Sequence, residues 1–287
     1  MFFFRLVFWV PLLFASPAFA EDTVDGPTEK DFKTYWQQWQ DYLRKEGKQA
    51  GIDSAVMFQL GKPYLVGSLE CEGDELLRYH IDGFDCFTLT EAALAMCLLE
   101  EGSQKDYERI LMQTRYRDHQ PEGYASRIHY ATEWSDHCVA LGFLEDVTGQ
   151  LENARVWEKE INFMTTHADF YPKLKDRKTY EQIQRIEKKL SKRKRYYLPL
   201  SEVEKNLKNF LPGDIVLILT RKKGLDAGHF CYVTDVKGKE QTQLEAVHAS
   251  STHKKVLKVD SMLRYLSHYP KIMGVMVLRI KKNEIPT

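Results

Sequence analysis

Asp85 and Cys86 stand together in FDCFTLTEAALAMCLLEEG, Phe84 to Gly102, where a helical pattern begins. Leu89, Ala93, Met96 and Cys97 recur on one face and the pattern stops at Gly102, so Cys86 falls in the first turn of a predicted helix. Unpaired backbone N–H groups and the positive end of the helix dipole stabilise an anion there. That predicts a lowered thiol pKa and a reactive thiolate near neutral pH. Asp85 is suited to cap the same helix end. A cysteine beside a capped helix start is also an ordinary packing feature, and it reads as a nucleophile only if a base accompanies it.

The second half of the chain supplies the base. LDAGHFCYVTDV sets His229 at the start of a predicted strand just after Gly228, and LEAVHASS sets His248 late in the following strand. Two histidines on neighbouring strands can hydrogen-bond, so that His248 orients and polarises His229 while His229 takes the proton from Cys86. Either histidine alone reads as a satisfied structural residue; with Cys86 they form a nucleophile, base and orienter.

The remaining cysteines, Cys71, Cys97, Cys138 and Cys231, bring the count to five, so at least one thiol is unpaired. There is no C-x-x-C, and His129 and His137 form no tight ligand cluster with any cysteine, so no metal is expected. Cys97 and Cys138 lie in apolar helical patterns and read as small buried hydrophobes. Cys231, two residues beyond His229 on the same strand face, reads as a core thiol.

Two kinds of element must position these groups. From Lys30 to about Gly149 the periodicity is mostly helical, and DFKTYWQQWQDYLRKEG spaces its apolar residues by three and four before ending at a glycine. From Asp214 onward DIVLILT, HFCYVTDV, QLEAVHAS, KKVLKV and MGVMVLRI read as strands. Helices followed by an antiparallel sheet make an α+β fold. It is expected as a single domain over residues 21–287, helical to about 210 and β-rich over 211–280. Between the halves, YEQIQRIEKKLSKRKRYY reads as a charged amphipathic helix. Its basic end, Lys192 to Arg195, is a solvated helix terminus or a contact for an anionic surface. No internal repeat or low-complexity tract is visible.

MFFFRLVFWVPLLFASPAFA opens the chain with one cation, an apolar run and an A-x-A ending at Ala18 and Ala20, which predicts a signal peptide over residues 1–20 and export to a bacterial periplasm. The apolar run is shorter than the roughly 18–20 residues of a spanning helix, so cleavage is favoured over anchoring. Losing Arg5 leaves 40 Lys and Arg against 41 Asp and Glu, a near-neutral chain unsuited to nucleic acid. The 267 residues that follow are ample for a real core without cysteine staples.

GKPYLVGSLE, FDCFTLTE, GDIVLIL, GHFCYVTDV and VHASS, in that order, resemble the NlpC-type cysteine peptidases, papain-like cell-wall hydrolases. RYRDHQPEGYASRIHYATEW, NFMTTH, YYLPLSEVE and GLDAGH look like the subgroup described as N-acetylmuramoyl-L-alanine amidase-like, and the likeness runs from about Thr28 to Ile280. The resemblance implies a papain-like arrangement, with the catalytic cysteine at a helix start against an antiparallel sheet. Carried over, Cys86 is the nucleophile, His229 the base, His248 the third polar residue and Tyr64 an active-site hydroxyl near the oxyanion. Two departures stand out. NlpC-type enzymes commonly read Asp-Cys-Ser-Gly where this chain has Asp85-Cys86-Phe87-Thr88, and the stretch between the histidines is longer, with KGKEQTQ as a hairpin tip.

The implied reaction is attack on an amide between N-acetylmuramic acid and L-Ala in peptidoglycan fragments, with no metal or organic cofactor, by a protein expected to be a monomer. Alternatives are an endopeptidase cutting between D-Glu and the diamino acid, and a non-catalytic wall-binding module. Substrate groups are sought in SRIHYATEW, where Arg127, His129 and Trp134 either grip a sugar or carboxylate or pack the core. Asp226 either faces a ligand amine or caps its strand. The segments Arg115 to Trp134 and Asn162 to His167 are expected to wall the cleft, favouring small released muropeptides over polymer.

Overall fold

The run Ile215–Thr220 is apolar at almost every position, the pattern of a strand covered on both faces, and the structure puts it in the middle of a sheet. The computed structural model describes residues 23–70, 72–99, 102–237, 243–269 and 271–281. The predicted signal peptide, Cys71 and most of the KGKEQTQ tip lie outside the described residues.

The chain begins with β1 (Val24–Asp25), α1 (Glu29–Glu46), α2 (Ile52–Phe58), β2 (Leu77–Arg78), α3 (Cys86–Leu98), α4 (Gln104–Arg115) and α5 (Ala131–Ala140). There follow β3 (Leu144–Asp146), β4 (Arg155–Trp157), α6 (Phe163–Thr166), α7 (Arg177–Leu190), β5 (Arg195–Pro199) and α8 (Leu200–Val203). Last come β6 (Ile215–Thr220), β7 (Ala227–Lys237), β8 (Gln243–Ser250), β9 (Lys255–Val259), α9 (Met262–His268) and β10 (Ile272–Ile280). Among the described residues eight strands form one sheet in the order β4-β5-β10-β6-β7-β8-β9, with β3 also on β10, and every pairing is antiparallel.

Alternation along the central strands sends side chains to two cores. Ile215, Leu217, Leu219, Phe230 and Tyr232 pack with α1 to α5 on one face. Val216, Ile218, Cys231 and Val233 pack with α8 and α9 on the other. A third cluster, around Tyr130, Phe163, Ile183 and Leu190, joins α6 and α7 to the body. The expected strands appear as β6 to β10, and α1 ends at Gly47, whose left-handed φ of 60° closes the helix as the sequence predicts.

Three expectations change. The helix after Cys86 ends at Leu98, short of Gly102, whose missing side chain makes room for the Trp36 indole. The basic stretch is not a helix end: α7 stops at Leu190, and Arg195 already belongs to β5, buried against Asp136. Strand structure is not confined to the last third either, since β3, β4 and β5 join the same sheet from residues 144–199. These short strands carry too few residues for a visible period-2 pattern. Among the described residues no helix is long and apolar enough to cross a membrane.

Candidate active site

Asp85 begins the site. Its Oδ1 accepts from the Phe87 and Thr88 N–H groups at 2.9 and 2.7 Å, and Thr88 Oγ1 accepts from the Asp85 N–H in return, a reciprocal box that fixes where α3 starts. Cys86 follows as the first helical residue, part-buried. Its carbonyl accepts from Thr90 Oγ1 at 2.9 Å and from the Tyr232 hydroxyl at 3.0 Å. Tyr232 stands on β7, so the strand that bears His229 also clamps the helix turn that bears the thiol. The backbone N–H groups of Phe230, Cys86 and Phe87 point at the sulfur.

His229 is re-aimed by a bulge. Ile218 pairs with His229 but Leu219 pairs with Ala227, leaving Gly228 as the extra residue. His229 Nε2 lies 2.9 Å from His248 Nδ1, joining β7 to β8. The stacked Tyr269 ring lies 6.0 Å from His229, and the Tyr265 ring lies 4.5 Å from His248 with its hydroxyl 3.5 Å from Nδ1. Both histidines are buried. Burial, then the neighbouring His248, pushes His229 down to about 3; burial, then His253, pushes His248 down to about 4.

The thiol departs from expectation in the opposite sense. Burial first, and the Asp85 charge second, push Cys86 up to about 12, and the three N–H groups only partly offset them. The helix end does stabilise an anion, but Asp85 occupies that end first and its charge opposes a second one beside it. Both directions favour the uncharged forms, a neutral thiol and neutral imidazoles.

Tyr64 enters through a short bridge to Phe84, with its N–H on the Lys254 carbonyl at 2.9 Å. Burial and then the charges of Cys86 and Asp85 hold its phenol well above the ordinary range, so it remains an O–H donor near the sulfur. Cys231 is buried with Val216, Ile218 and Val233, a core thiol as its spacing suggested. Cys138 is buried and Cys97 part-buried.

The residues sought as substrate contacts do not join this group. Arg127 is 3% exposed, with Glu70 at 2.8 Å, Glu75 at 3.2 Å and the Leu69 carbonyl at 3.0 Å, so its guanidinium is committed to holding the 69–75 loop. His129 turns back onto the Tyr124 carbonyl at 2.9 Å. Trp134 is fully buried, edge-on to Phe87 and Phe230, the neighbours of Cys86 and His229. Asp226 accepts from the Thr132 N–H and hydroxyl at 2.8 and 2.9 Å, capping α5 from across the fold, and also from the N–H of Ala227 at the start of its own strand. These side chains brace the site from behind.

Tyr265, Tyr269, Tyr232 and Thr90 were missed. The i, i+4 spacing of Tyr265 and Tyr269 in YLSHY is the one signal for the first two, since it puts both rings on one side of a short helix. Among the described residues no group of three or more His, Cys, Asp or Glu side chains converges as a metal site.

The chain is similar to an N-acetylmuramoyl-L-alanine amidase from Bacteroides uniformis, at 33% identity over 82% of this chain and 100% of that one, with a TM-score of 0.75. It is similar to a Bacteroides fragilis structure provisionally named a xylanase, at 33% identity over 79% and 99% of the two chains, TM-score 0.73. The fold also matches protein LPG0564 of Legionella pneumophila, at 19% identity over 88% and 97%, TM-score 0.63. No curated protein matches the chain. A family model covers residues 55–274, from α2 to β10, and by that match the chain belongs to the N-acetylmuramoyl-L-alanine amidase-like family.

Proposed function

We propose that the protein is a cysteine hydrolase of the NlpC, papain-like type that cleaves the amide between N-acetylmuramic acid and L-Ala in released peptidoglycan fragments. We infer that it acts after export to a bacterial periplasm. The observation that carries the chemistry is the His229–His248 hydrogen bond at 2.9 Å, on the strand whose Phe230 N–H points at the Cys86 sulfur.

With His229 Nε2–H donating to His248 Nδ1, His229 Nδ1 keeps its lone pair and takes the Cys86 proton as the sulfur attacks the amide carbon. The oxyanion is met by the Cys86 N–H and the Tyr64 hydroxyl. Collapse breaks the C–N bond, and His229 returns its proton to the departing L-Ala amine. Water, deprotonated by His229, then hydrolyses the lactyl thioester, releasing the muramic acid carboxylate and restoring the thiol. A glycosidase, the reading suggested by the xylanase name, needs two carboxyl groups flanking the bond. The groups gathered here are a thiol, imidazoles and phenols, which favours the amidase.

The bond is tested by incubating the protein with disaccharide-tripeptide and with free tripeptide. Free disaccharide plus an intact peptide led by L-Ala is the expected result. L-Ala-D-Glu dipeptide, or cleavage of the sugar-free peptide, assigns the endopeptidase instead.

A further inference from the structure

The basic stretch beyond α7 has no part in the chemistry proposed above. After Leu190, Lys192, Arg193 and Lys194 stay exposed while Arg195 turns inward. Asp136 serves both Arg193 and Arg195, and Glu158 lies 3.2 Å from Lys194, so two carboxylates answer these paired cations while Lys189 and Lys192 add to the surface. In a chain with 41 Lys and Arg against 41 Asp and Glu, this is a local excess rather than a general one.

An apolar pair stands beside it. Val156 and Tyr196 face each other across β4 and β5 and are 54% and 48% exposed, at the edge of the sheet. A hollow of about 440 Å³ joins Tyr196 to Arg193, Lys194 and Arg195, with Asp136 and Asp146 as its acidic lining, and a second of about 260 Å³ beside it sets Arg117, Lys189 and Arg193 against Glu133 and Asp136. The Tyr196 ring lies over Gly149, which has no side chain to displace it, so the ring is held rather than free.

We propose that this edge docks the protein onto an anionic lipid surface. Exposed lysines and arginines provide the attraction, and a phenol ring with an aliphatic neighbour suits the headgroup boundary, where one end of tyrosine is apolar and the other wet. A soluble polyanion would use the cations but gain nothing from Val156 and Tyr196. Because β10 and β6 lie between β5 and β7, docking here leaves the histidine strands uncovered.

The purified protein would be sedimented with vesicles of phosphatidylcholine alone and with added phosphatidylglycerol. Binding should require the anionic lipid. Each cation near such a surface is worth about fivefold, so Lys189→Gln, Lys192→Gln and Lys194→Gln together should weaken binding about 100-fold. Tyr196→Ser should weaken vesicle binding several-fold, with an unchanged denaturation midpoint as the check on folding and unchanged binding to polyphosphate as the control. Equal binding to both vesicle types overturns the proposal, as does polyphosphate binding as tight as vesicle binding with Tyr196→Ser indifferent to both, which would mark a general polyanion site.

Discussion

His229 Nε2 and His248 Nδ1 are 2.9 Å apart with their rings nearly perpendicular, at 86°. One proton occupies that gap, and its assignment to His229 leaves the other nitrogen of that ring as an acceptor. His229→Ala should therefore remove the base and lower kcat/KM by about 10²–10⁴-fold. His248→Gln, which keeps an acceptor, should cost much less than His248→Ala. Equal losses for the two His248 variants would show that the hydrogen bond does not orient the base.

Because Cys86 is pushed up to about 12, its reactivity toward iodoacetamide in the absence of substrate should climb with pH through the alkaline range. Cys86→Ala should fold normally and be inert. A labelling rate already on its plateau at pH 6 would reveal a preformed thiolate and sink the neutral-pair description.

The histidines also make stability pH-dependent. His229 and His248, depressed to about 3 and about 4, stay neutral in the fold while the unfolded chain takes up protons below about 6.5. Unfolding then binds more protons, so their contribution is intact above about pH 6.5 and is lost as pH falls toward the folded values. The slope is about 1.4 kcal/mol per pH unit for each histidine. Denaturation at pH 7 and pH 5 should show a smaller loss in His248→Gln than in the unaltered protein.

Arg127 tests the bracing role. Arg127→Leu leaves Glu75 buried without its cation and should cost about 3–5 kcal/mol of stability. At a temperature where the variant is folded, KM should stay near the unaltered value. A large rise in KM without loss of stability would return Arg127 to the substrate.

How far these features could be read in advance depends on how local their causes are. Asp85, Cys86 and Thr88 announce themselves because a capping box is a contact within four residues. Strands β6, β7, β8 and β10 are visible because each holds an unbroken run of buried residues, and the shorter β9 because its valines and leucine are interspersed with lysines. The thiol's direction was misjudged because helix-end stabilisation is local, whereas its burial needs Tyr232 and Phe230 from a strand 144–146 residues away. The alternatives for Arg127 and Asp226 stayed open for the same reason: their partners Glu75 and Thr132 are fixed only by the completed fold.

The place of β10 bears on how the protein is made. The last strand in sequence lies inside the sheet between β5 and β6, rather than at an edge. A growing chain can form α3 with Cys86 early and pair β6 to β9 with one another, yet β3 and β5 have no strand to join them to that part of the sheet until residues 272–280 arrive. Such long-range pairing is slow to nucleate. A chain interrupted between Val259 and Ile272 therefore carries the thiol, both imidazoles and the paired strands β6 to β9, but nothing yet ties β3, β4 and β5 to them: the final strand is the clasp that closes the two parts of the sheet into one.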